Sequence, residues 1–179
     1  MSSLLRLRLL GLLLAAVIFA VDQWLKDLVV NRWGLDRVGE QIVLLPFFNL
    51  TRTNNYGVSL GMLTANSTEA RWLLVAGTSL IAAVVFVWLL RERRGWDIFG
   101  LALILGGAIG NIRDRYLYGY VIDFADLHIG GFRPFLIFNL ADAAISIGVV
   151  IILARALFMS EKPATAHDAN KADTPAETN

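Results

Sequence analysis

Long apolar stretches alternate with shorter polar ones along the chain, and four of the apolar stretches predict membrane helices. They run from Leu9 to Val21, from Trp72 to Leu90, from Ile98 to Ile112 and from about Phe135 to Met159. A helix rises about 1.5 Å per residue, so crossing a bilayer takes about 20 residues. The first and third stretches are shorter than that, and we therefore expect their helices to extend into the polar flanks.

The polar segment between the first two helices contains short apolar runs that predict strands on the membrane surface. These runs are Gln41–Leu45, Phe47–Thr51 and Gly57–Leu60, separated by Pro46 and by Asn54-Asn55. Short runs bounded by such residues are typical of β-strands. We therefore expect a small sheet beside the four helices.

Arginines close to the predicted helix ends indicate the orientation of the chain. They precede the first helix and fill the turn between the second and third, at Arg6, Arg8, Arg91, Arg93 and Arg94. Because Lys and Arg concentrate in cytoplasmic loops, we expect both termini on the cytoplasmic side. The two longer loops, about residues 27–71 and 116–134, then face outward.

The start of the chain has the arginines and the short apolar run of a secretory signal peptide. The run continues without a small-residue cleavage site into Asp22 and Lys26, and three more spans follow. We interpret it as the first membrane helix of a single domain, residues 1–159. Residues 160–179 are too polar to bury anything, which predicts a disordered tail.

Composition supports an integral membrane protein and narrows its chemistry. Of 179 residues, 56% are hydrophobic and 17% charged, whereas a soluble domain carries about 25% charged residues. The absence of Cys excludes thiolate nucleophiles, and His128 is the only His outside the tail, so we expect no metal or other cofactor. The net charge of +1 gives no reason to expect a nucleic-acid partner.

Ionisable residues beside the apolar stretches are the candidates for function, because one at membrane depth costs about 2.5 to 3.5 kcal/mol. Asp142 lies within the fourth apolar stretch, and Asn139 would project from the same helical face. Both residues fit a functional site, but they also fit a polar contact that only joins two helices.

The end of the third apolar stretch carries a second polar group. Asn111, Asp114 and Arg115 share one helical face by their spacing. For Asp114 alone, we expect an ion pair with Arg113 or Arg115 at the membrane interface.

Asp123 lies between two apolar residues, eight positions after Arg115. If it meets a second carboxylate at low dielectric, both cannot ionise easily and the pair keeps one proton. Such a pair supplies the acid and the base of an aspartic protease without Cys, His or metal. Composition alone would equally allow a proton relay.

Five short motifs together resemble the lipoprotein signal peptidases, also called signal peptidase II, a family of bacterial aspartic intramembrane proteases. In chain order they read Asp22-Gln23-x-x-Lys26, Asn55-x-Gly57, Gly110-Asn111-x-x-Asp114-Arg115, Val121-x-Asp123-Phe124 and Phe138-Asn139-x-Ala141-Asp142. By this resemblance, Asp123 and Asp142 form the catalytic dyad. The implied supporting residues are Asn111 and Asn139 for carboxylate orientation, Arg115 for the site and substrate backbone, and Asp22, Lys26, Asn55 and Asp114.

The resemblance also implies a substrate and a fold. The substrates would be prolipoproteins carrying diacylglyceryl on a Cys, cleaved just before that Cys in the bacterial inner membrane by an enzyme active as a monomer. The fold would have four membrane helices, a small periplasmic β-cradle and a short periplasmic helix within Asp123–Arg133. After Asn55 the chain departs from the usual family pattern, reading Tyr56-Gly57-Val58-Ser59-Leu60, which affects the packing of that strand.

Two other functions remain open from the residues alone. In a serine-lysine protease, Lys26 would activate Ser59 or Ser146. In a proton-coupled transporter or helper subunit, Asp142, Asn139 and Asp114 would form a relay.

Overall fold

The computed structural model describes residues 2–57 and 68–158, and four long helices form its body. They are α1 (Ser3–Asp27), which continues through a π-helical turn at Leu28–Arg32, α2 (Thr68–Arg91), α3 (Gly95–Tyr118) and α4 (Leu140–Phe158). Each is long and apolar enough to cross a membrane. The prediction of four membrane helices is confirmed, and α1 and α3 extend into their polar flanks as expected.

The helix α3 lies at the centre and packs against the other three helices. Its glycines allow this close packing: a Cβ at Gly106 would lie 2.5 Å from the carbonyl oxygen of Ala15, and one at Gly107 would lie 2.4 Å from that of Ala141. A Cβ at Gly110 would lie 2.7 Å from the Asp22 carboxylate. Small residues thus bring the backbones of α1, α3 and α4 into contact.

The substitution Gly107→Ala tests this contact, with Gly77→Ala on α2 as its matched control. A methyl group at position 107 must push α4 away at Ala141, and such overpacking costs about 1 to 3 kcal/mol. Nothing lies within 4 Å of an added Cβ at Gly77, so Ala there should preserve or raise stability through its helix propensity. We expect thermal unfolding in detergent to show a lower melting temperature only for Gly107→Ala. Equal melting of the two variants would contradict the close α3–α4 contact.

Three strands form one antiparallel sheet in the order β1-β2-β3. They are β1 (Gln41–Leu45), β2 (Phe48–Asn55) and β3 (Val121–Leu127). The predicted sheet is confirmed, but β2 continues through Asn54 and Asn55, where we expected a break. Of the third predicted run, Val58–Leu60 lies outside the described residues.

The expected short helix within Asp123–Arg133 is wrong. The chain from Asp123 to Leu127 belongs to β3, and Ile129 and Phe132 then bridge each other across a tight turn. One edge of β3 pairs with β2, and Phe138 exchanges hydrogen bonds with Ala125 at the other edge. Since strand pairing satisfies the backbone on both edges, this segment is a buried strand.

An apolar cluster fixes the sheet to the helices. Val29 and Leu35 from the end of α1 and its following loop pack against Leu50 of β2 and against Ile122 and Phe124 of β3. Both outer segments of the chain therefore meet over the end of α1. The tail, residues 160–179, lies outside the described residues.

Candidate active site

Asn139 and Asp142 cap each other at the start of α4. Asn139 Oδ1 accepts a hydrogen bond from the backbone N–H of Asp142 at 2.9 Å, and Asp142 Oδ2 accepts one from the backbone N–H of Asn139 at 3.2 Å. This reciprocal arrangement is a capping box and orients both side chains. The prediction that the two residues share a helical face is wrong, because Asn139 precedes the helix and Asp142 lies in its first turn.

The side chain of Asn139 also reaches Asp123. Its Nδ2 donates to Asp123 Oδ1 at 2.7 Å and to the carbonyl oxygen of Ile122 at 3.2 Å. The side chain of Asn55, at the end of β2, gives Asp123 a further hydrogen bond. The structure thus brings the two carboxylates of the expected dyad to one residue, because Asn139 donates to Asp123 from its side chain and to Asp142 from its backbone N–H.

Asn111 on α3 contacts the other face of this group. Its Nδ2 donates to Asp142 Oδ1 at 2.7 Å, while its Oδ1 accepts from Asn139 Nδ2 at 3.3 Å and from Lys26 Nζ at 3.4 Å. Both asparagines therefore orient carboxylate oxygens, and Asn111 joins Asp142 to α1.

Behind Asn111, three charged residues form a buried ion-pair triad. Lys26 Nζ lies 2.8 Å from Asp22 Oδ2 and 2.8 Å from Asp114 Oδ2, and the three side chains are at most 3% exposed. The expected pairing of Asp114 with Arg113 or Arg115 is wrong. Asp114 is buried and pairs with Lys26 of α1, whereas Arg113 is exposed and donates to Gln23.

The triad also holds the backbone immediately before each carboxylate of the dyad. Asp22 Oδ1 accepts from the backbone N–H of Ala141 at 3.0 Å, next to Asp142. Asp114 Oδ2 accepts from the backbone N–H of Ile122 at 3.2 Å, next to Asp123. Through these two hydrogen bonds, one buried cluster positions the start of α4 and the start of β3.

Gln23 belongs to the same cluster, although no role was predicted for it from the sequence. Its Nε2 donates to Asp22 Oδ2 at 3.0 Å, to Asp114 Oδ1 at 3.1 Å and to the carbonyl oxygen of Gly110 at 3.3 Å. The sequence feature that could have identified Gln23 is its position directly after Asp22 in the motif Asp22-Gln23-x-x-Lys26.

Arg115 brings a positive charge to the dyad. Its guanidinium interacts electrostatically with Asp142, Asp123 and Asp114. A Cβ at Gly57 would lie 3.2 Å from Arg115 Nη2, so the absence of a side chain at Gly57 leaves room for this arginine. Within the described part of the chain, the buried Nε of Arg115 has no hydrogen-bond partner, which leaves a donor for a bound acceptor.

Asp123 holds a proton far more readily than an ordinary aspartate. It is 1% exposed, and burial together with the negative charge of Asp142 raises the pKa of Asp123 to about 7. Near neutral pH, Asp123 therefore still carries its proton in a large share of the molecules. Among the residues that the structure describes, no three His, Asp or Glu side chains are grouped to hold a metal ion.

The raised pKa of Asp123 predicts how stability depends on pH. The unfolded chain loses this proton near its ordinary pKa of 3.8, whereas the folded protein keeps it until about pH 7. Folding stability from this group is therefore full below about pH 4 and is lost as the pH rises through about 7, with a slope of up to about 1.4 kcal/mol per pH unit. Thermal unfolding between pH 4 and 8 should show this slope in the wild type relative to Asp123→Asn. Parallel profiles of the two proteins would contradict it.

Two cavities open on either side of the dyad. Asp123 lines a cavity of about 780 Å³ between the end of β2, residues 53–57, and residues 133–137. Asp142 lines a smaller, mainly apolar groove of about 290 Å³ along α4. Phe135 and Leu136 line both, and 64% and 88% of their surfaces are exposed. A guest with a polar chain and an apolar group would find surfaces for both next to the carboxylates.

Asp126 anchors the segment that lines both cavities, and sequence reasoning missed it. Its Oδ1 accepts from Arg133 Nε at 2.8 Å, and its Oδ2 accepts from Arg133 Nη2 at 3.1 Å and from Thr51 at 3.0 Å. These hydrogen bonds from Arg133 lower the pKa of Asp126. The bidentate pair ties residues 133–137 to the sheet beside Asp123.

The geometry gives no support to Lys26 as the base of a serine-lysine pair. Its ammonium group is held by two carboxylates and by Asn111, whereas Ser146 lies along the groove beside α4. Ser59 lies outside the described residues.

Comparison with known proteins gives consistent matches over this whole region. The profile of the family described as signal peptidase (SPase) II matches residues 14–158. The lipoprotein signal peptidase of Sphingopyxis alaskensis is 54% identical over 152 residues, which cover 85% of this chain and 87% of that protein. Those of Rhizorhabdus wittichii and Francisella tularensis subsp. novicida are 51% and 39% identical, covering 86% and 89% of this chain and 89% and 99% of those proteins.

Two solved structures share the fold. Both are described as a bacterial membrane enzyme studied by the in meso method, at 1.9 and 2.3 Å resolution. They superpose with TM-scores of 0.67 and 0.63 at 27% and 26% identity. The matches cover 84% and 87% of this chain and 94% of each solved chain.

Proposed function

The chain belongs to the signal peptidase II family, and we propose that it cleaves diacylglyceryl-modified prolipoproteins by an aspartic mechanism at Asp123 and Asp142. It is a multi-pass protein of the bacterial inner membrane with lipoprotein signal peptidase activity. The observation that carries the aspartic mechanism is the contact of Asn139 with both carboxylates, which places them at one point beside two open cavities.

We assign the proton to Asp123 and the negative charge to Asp142 in the resting enzyme. Asp123 is buried, and its pKa of about 7 favours the protonated acid. Asp142 accepts hydrogen bonds from Asn111 and from the backbone N–H of Asn139 in the first turn of α4, where the helix dipole favours an anion. Asp142 then acts as the base and Asp123 as the acid.

Hydrolysis follows from these two roles. Asp142 takes a proton from water as the oxygen attacks the carbonyl carbon of the residue before the lipidated Cys, while Asp123 gives its proton to the carbonyl oxygen. In the resulting tetrahedral intermediate the carbon–nitrogen bond breaks, the nitrogen takes the proton from Asp142, and a hydroxyl proton returns to Asp123. The products are a signal peptide with a carboxyl end and a lipoprotein with a free amino group.

Arg115 binds the substrate backbone in this scheme. Its Nε has no hydrogen-bond partner among the described residues and lies close to the glycine at position 57. A carbonyl oxygen of an extended substrate can accept from this N–H. The supporting residues Asp22, Lys26 and Asp114 act at a distance by holding the backbone before Asp142 and Asp123.

The exposed apolar residues at the site suit a substrate that stays in the bilayer. The groove at Asp142 runs along α4 as far as Ile147, 54% of whose surface is exposed. We propose that the diacylglyceryl group lies along this face while the peptide occupies the larger cavity at Asp123. The site then faces outward, with the arginine-rich turn between α2 and α3 and both termini in the cytoplasm. Each chain contributes a complete set of these residues, so we propose that a monomer is active.

Cleavage of one prolipoprotein in two forms tests this substrate assignment. Purified protein in detergent should shift the diacylglyceryl form on a gel, whereas the same polypeptide without the lipid should be cleaved at least tenfold more slowly. Equal cleavage of both forms would overturn the role of the lipid. A relay in a transporter is not favoured, since the family and its named relatives are peptidases.

A further inference from the structure

A second polar pocket, of about 280 Å³, lies on the other side of the residues that position the dyad. Lys26, Asp114 and Ile122 form part of its lining, and it shares no lining residue with the cavity at Asp123. Lys26 and Asp114 are already paired there within the triad that also contains Asp22. The peptidase mechanism therefore leaves this pocket without a role.

Four further charged residues line the pocket, two of each sign. The acidic ones are Asp27, at the end of α1, and Asp36, in the loop that follows. The basic ones are Arg113 on α3 and Arg52 on β2. A guest with both a positive and a negative group would complement these charges.

These four residues do not pair with one another in the described part of the chain. Asp27 accepts a hydrogen bond from Asn31, and Arg113 donates to Gln23. Asp36 is exposed to solvent. Opposite charges that line one pocket without contact leave space for a bound molecule between them.

Arg52 gives independent evidence for a missing acceptor. The residue is 4% exposed, and its Nη1 donates to the carbonyl oxygen of Thr53 at 2.7 Å. Its buried Nε has no hydrogen-bond partner among the described residues. Leaving a buried charged donor unsatisfied is costly, so an anion in the pocket would satisfy this N–H.

The position of the pocket indicates the source of that anion. It lies where α1 and α3 end, and the exposed Trp24 and Trp33 on either side of Asp27 are typical of the level of lipid headgroups. Tyr118 and Tyr120, which also line the pocket, stack at 6.1 Å, and Arg52 lies 5.6 Å from the Tyr120 ring centre. The arginine is therefore held in place at the depth where phospholipid phosphates lie.

We propose that this pocket binds the headgroup of a zwitterionic phospholipid. The phosphodiester lies against Arg52 and Arg113, because a guanidinium group matches phosphate oxygens with several donors. The ammonium group of the headgroup lies toward Asp27 and Asp36. Phosphatidylethanolamine has this combination of charges, whereas phosphatidylglycerol has the phosphate alone.

Binding of short-chain lipids to the full chain, purified in detergent and delipidated, tests the proposal. The probes are dioctanoyl phosphatidylethanolamine, dioctanoyl phosphatidylglycerol and the soluble compound phosphoethanolamine, and native mass spectrometry gives each Kd. We expect the wild type to bind the ethanolamine lipid at least fivefold more tightly than the glycerol lipid. Equal affinity would overturn the zwitterionic assignment, and equally tight binding of phosphoethanolamine would overturn the lipid assignment.

Two variants of exposed residues locate the binding in this pocket. Arg113→Gln should weaken binding of both lipids about tenfold, and Asp36→Asn should remove the preference for ethanolamine while retaining binding of the glycerol lipid. Arg32→Gln is the matched control, because Arg32 is exposed on the same turn as Asn31 but does not line the pocket. Unchanged affinity in Arg113→Gln, or an equal loss in Arg32→Gln, would overturn the proposal.

Discussion

Asp123→Asn and Asp142→Asn should each reduce cleavage of a diacylglyceryl prolipoprotein at least about a thousandfold while the protein stays folded, because acid–base groups contribute about 10² to 10⁴ each. An amide has the shape of the carboxyl group but cannot take a proton from water or return one to the leaving nitrogen. Asn139 contacts the carboxyl group of both residues, and an amide of the same shape at either position preserves most of the packing while it removes the proton exchange. The measurement is a gel-shift time course at equal folded protein, with melting temperatures recorded in parallel.

Asp97→Asn is the control for this pair of variants. Asp97 lies in the first turn of α3, at the opposite end of that helix from Asn111, and pairs with Arg155 at 2.8 Å. Its substitution changes a charge near the membrane without touching the dyad, so cleavage should continue near the wild-type rate. Full activity of either dyad variant would rule out the aspartic mechanism, and complete loss in Asp97→Asn would show that the assay reports folding.

The sequence was sufficient to predict the four helices and the residues of the candidate site. Single charges within or beside apolar runs are easy to recognise as candidates. An ionisable side chain near the bilayer, such as that of Asp142 or Asp114, is costly unless it has a partner or a function. The five motifs then selected the same polar residues that the structure groups between α1, α3, β3 and α4. Local pattern and membrane cost account for the helices and for the attention to single charges, whereas the resemblance of the five motifs to a known family accounts for the selection of the site residues.

Strand β3 could not be predicted from the same pattern. Six of its seven residues, Val121 to Asp126, are buried, so polar and apolar positions do not alternate as they do in a half-exposed strand. Its partner β2 lies about seventy positions earlier in the chain, and Thr53 of β2 pairs with Asp123. Neighbouring residues in the sequence cannot predict a pairing over this distance. The two carboxylates that line this strand, Asp123 and Asp126, therefore looked alike in sequence despite their different partners.

The ion-pair partner of Asp114 also could not be predicted from the residues next to it in the sequence. Asp114 has an arginine on each side in sequence, yet it bonds to Lys26 on another helix. Gly110 explains the choice, since the absence of its side chain lets the Asp22 carboxylate approach α3 and brings Lys26, one turn further along α1, to Asp114. Helix packing thus decided the pairing, and the pairing in turn fixed the backbone before each carboxylate of the dyad.

Lys26→Met should destabilise the protein by about 3 to 5 kcal/mol, the range for removing one partner of a buried ion pair. Asp22 and Asp114 would then face each other without the positive charge that lies 2.8 Å from each. Because these carboxylates hold the N–H groups of Ala141 and Ile122, their separation should also displace Asp142 and Asp123. We expect a markedly lower melting temperature in detergent and a reduced kcat at a temperature where the variant is folded.

The double variant Lys26→Met, Asp114→Asn separates loss of charge balance from loss of side-chain volume. With Asn at position 114, Asp22 no longer faces a second carboxylate. The double variant should therefore recover part of the melting temperature lost in Lys26→Met. An amide at position 114 can still accept from the backbone N–H of Ile122, so kcat should recover with stability. If Lys26→Met instead melts and cleaves like the wild type, the triad does not position the dyad, and the orientation of Asp123 and Asp142 rests on Asn55, Asn111 and Asn139.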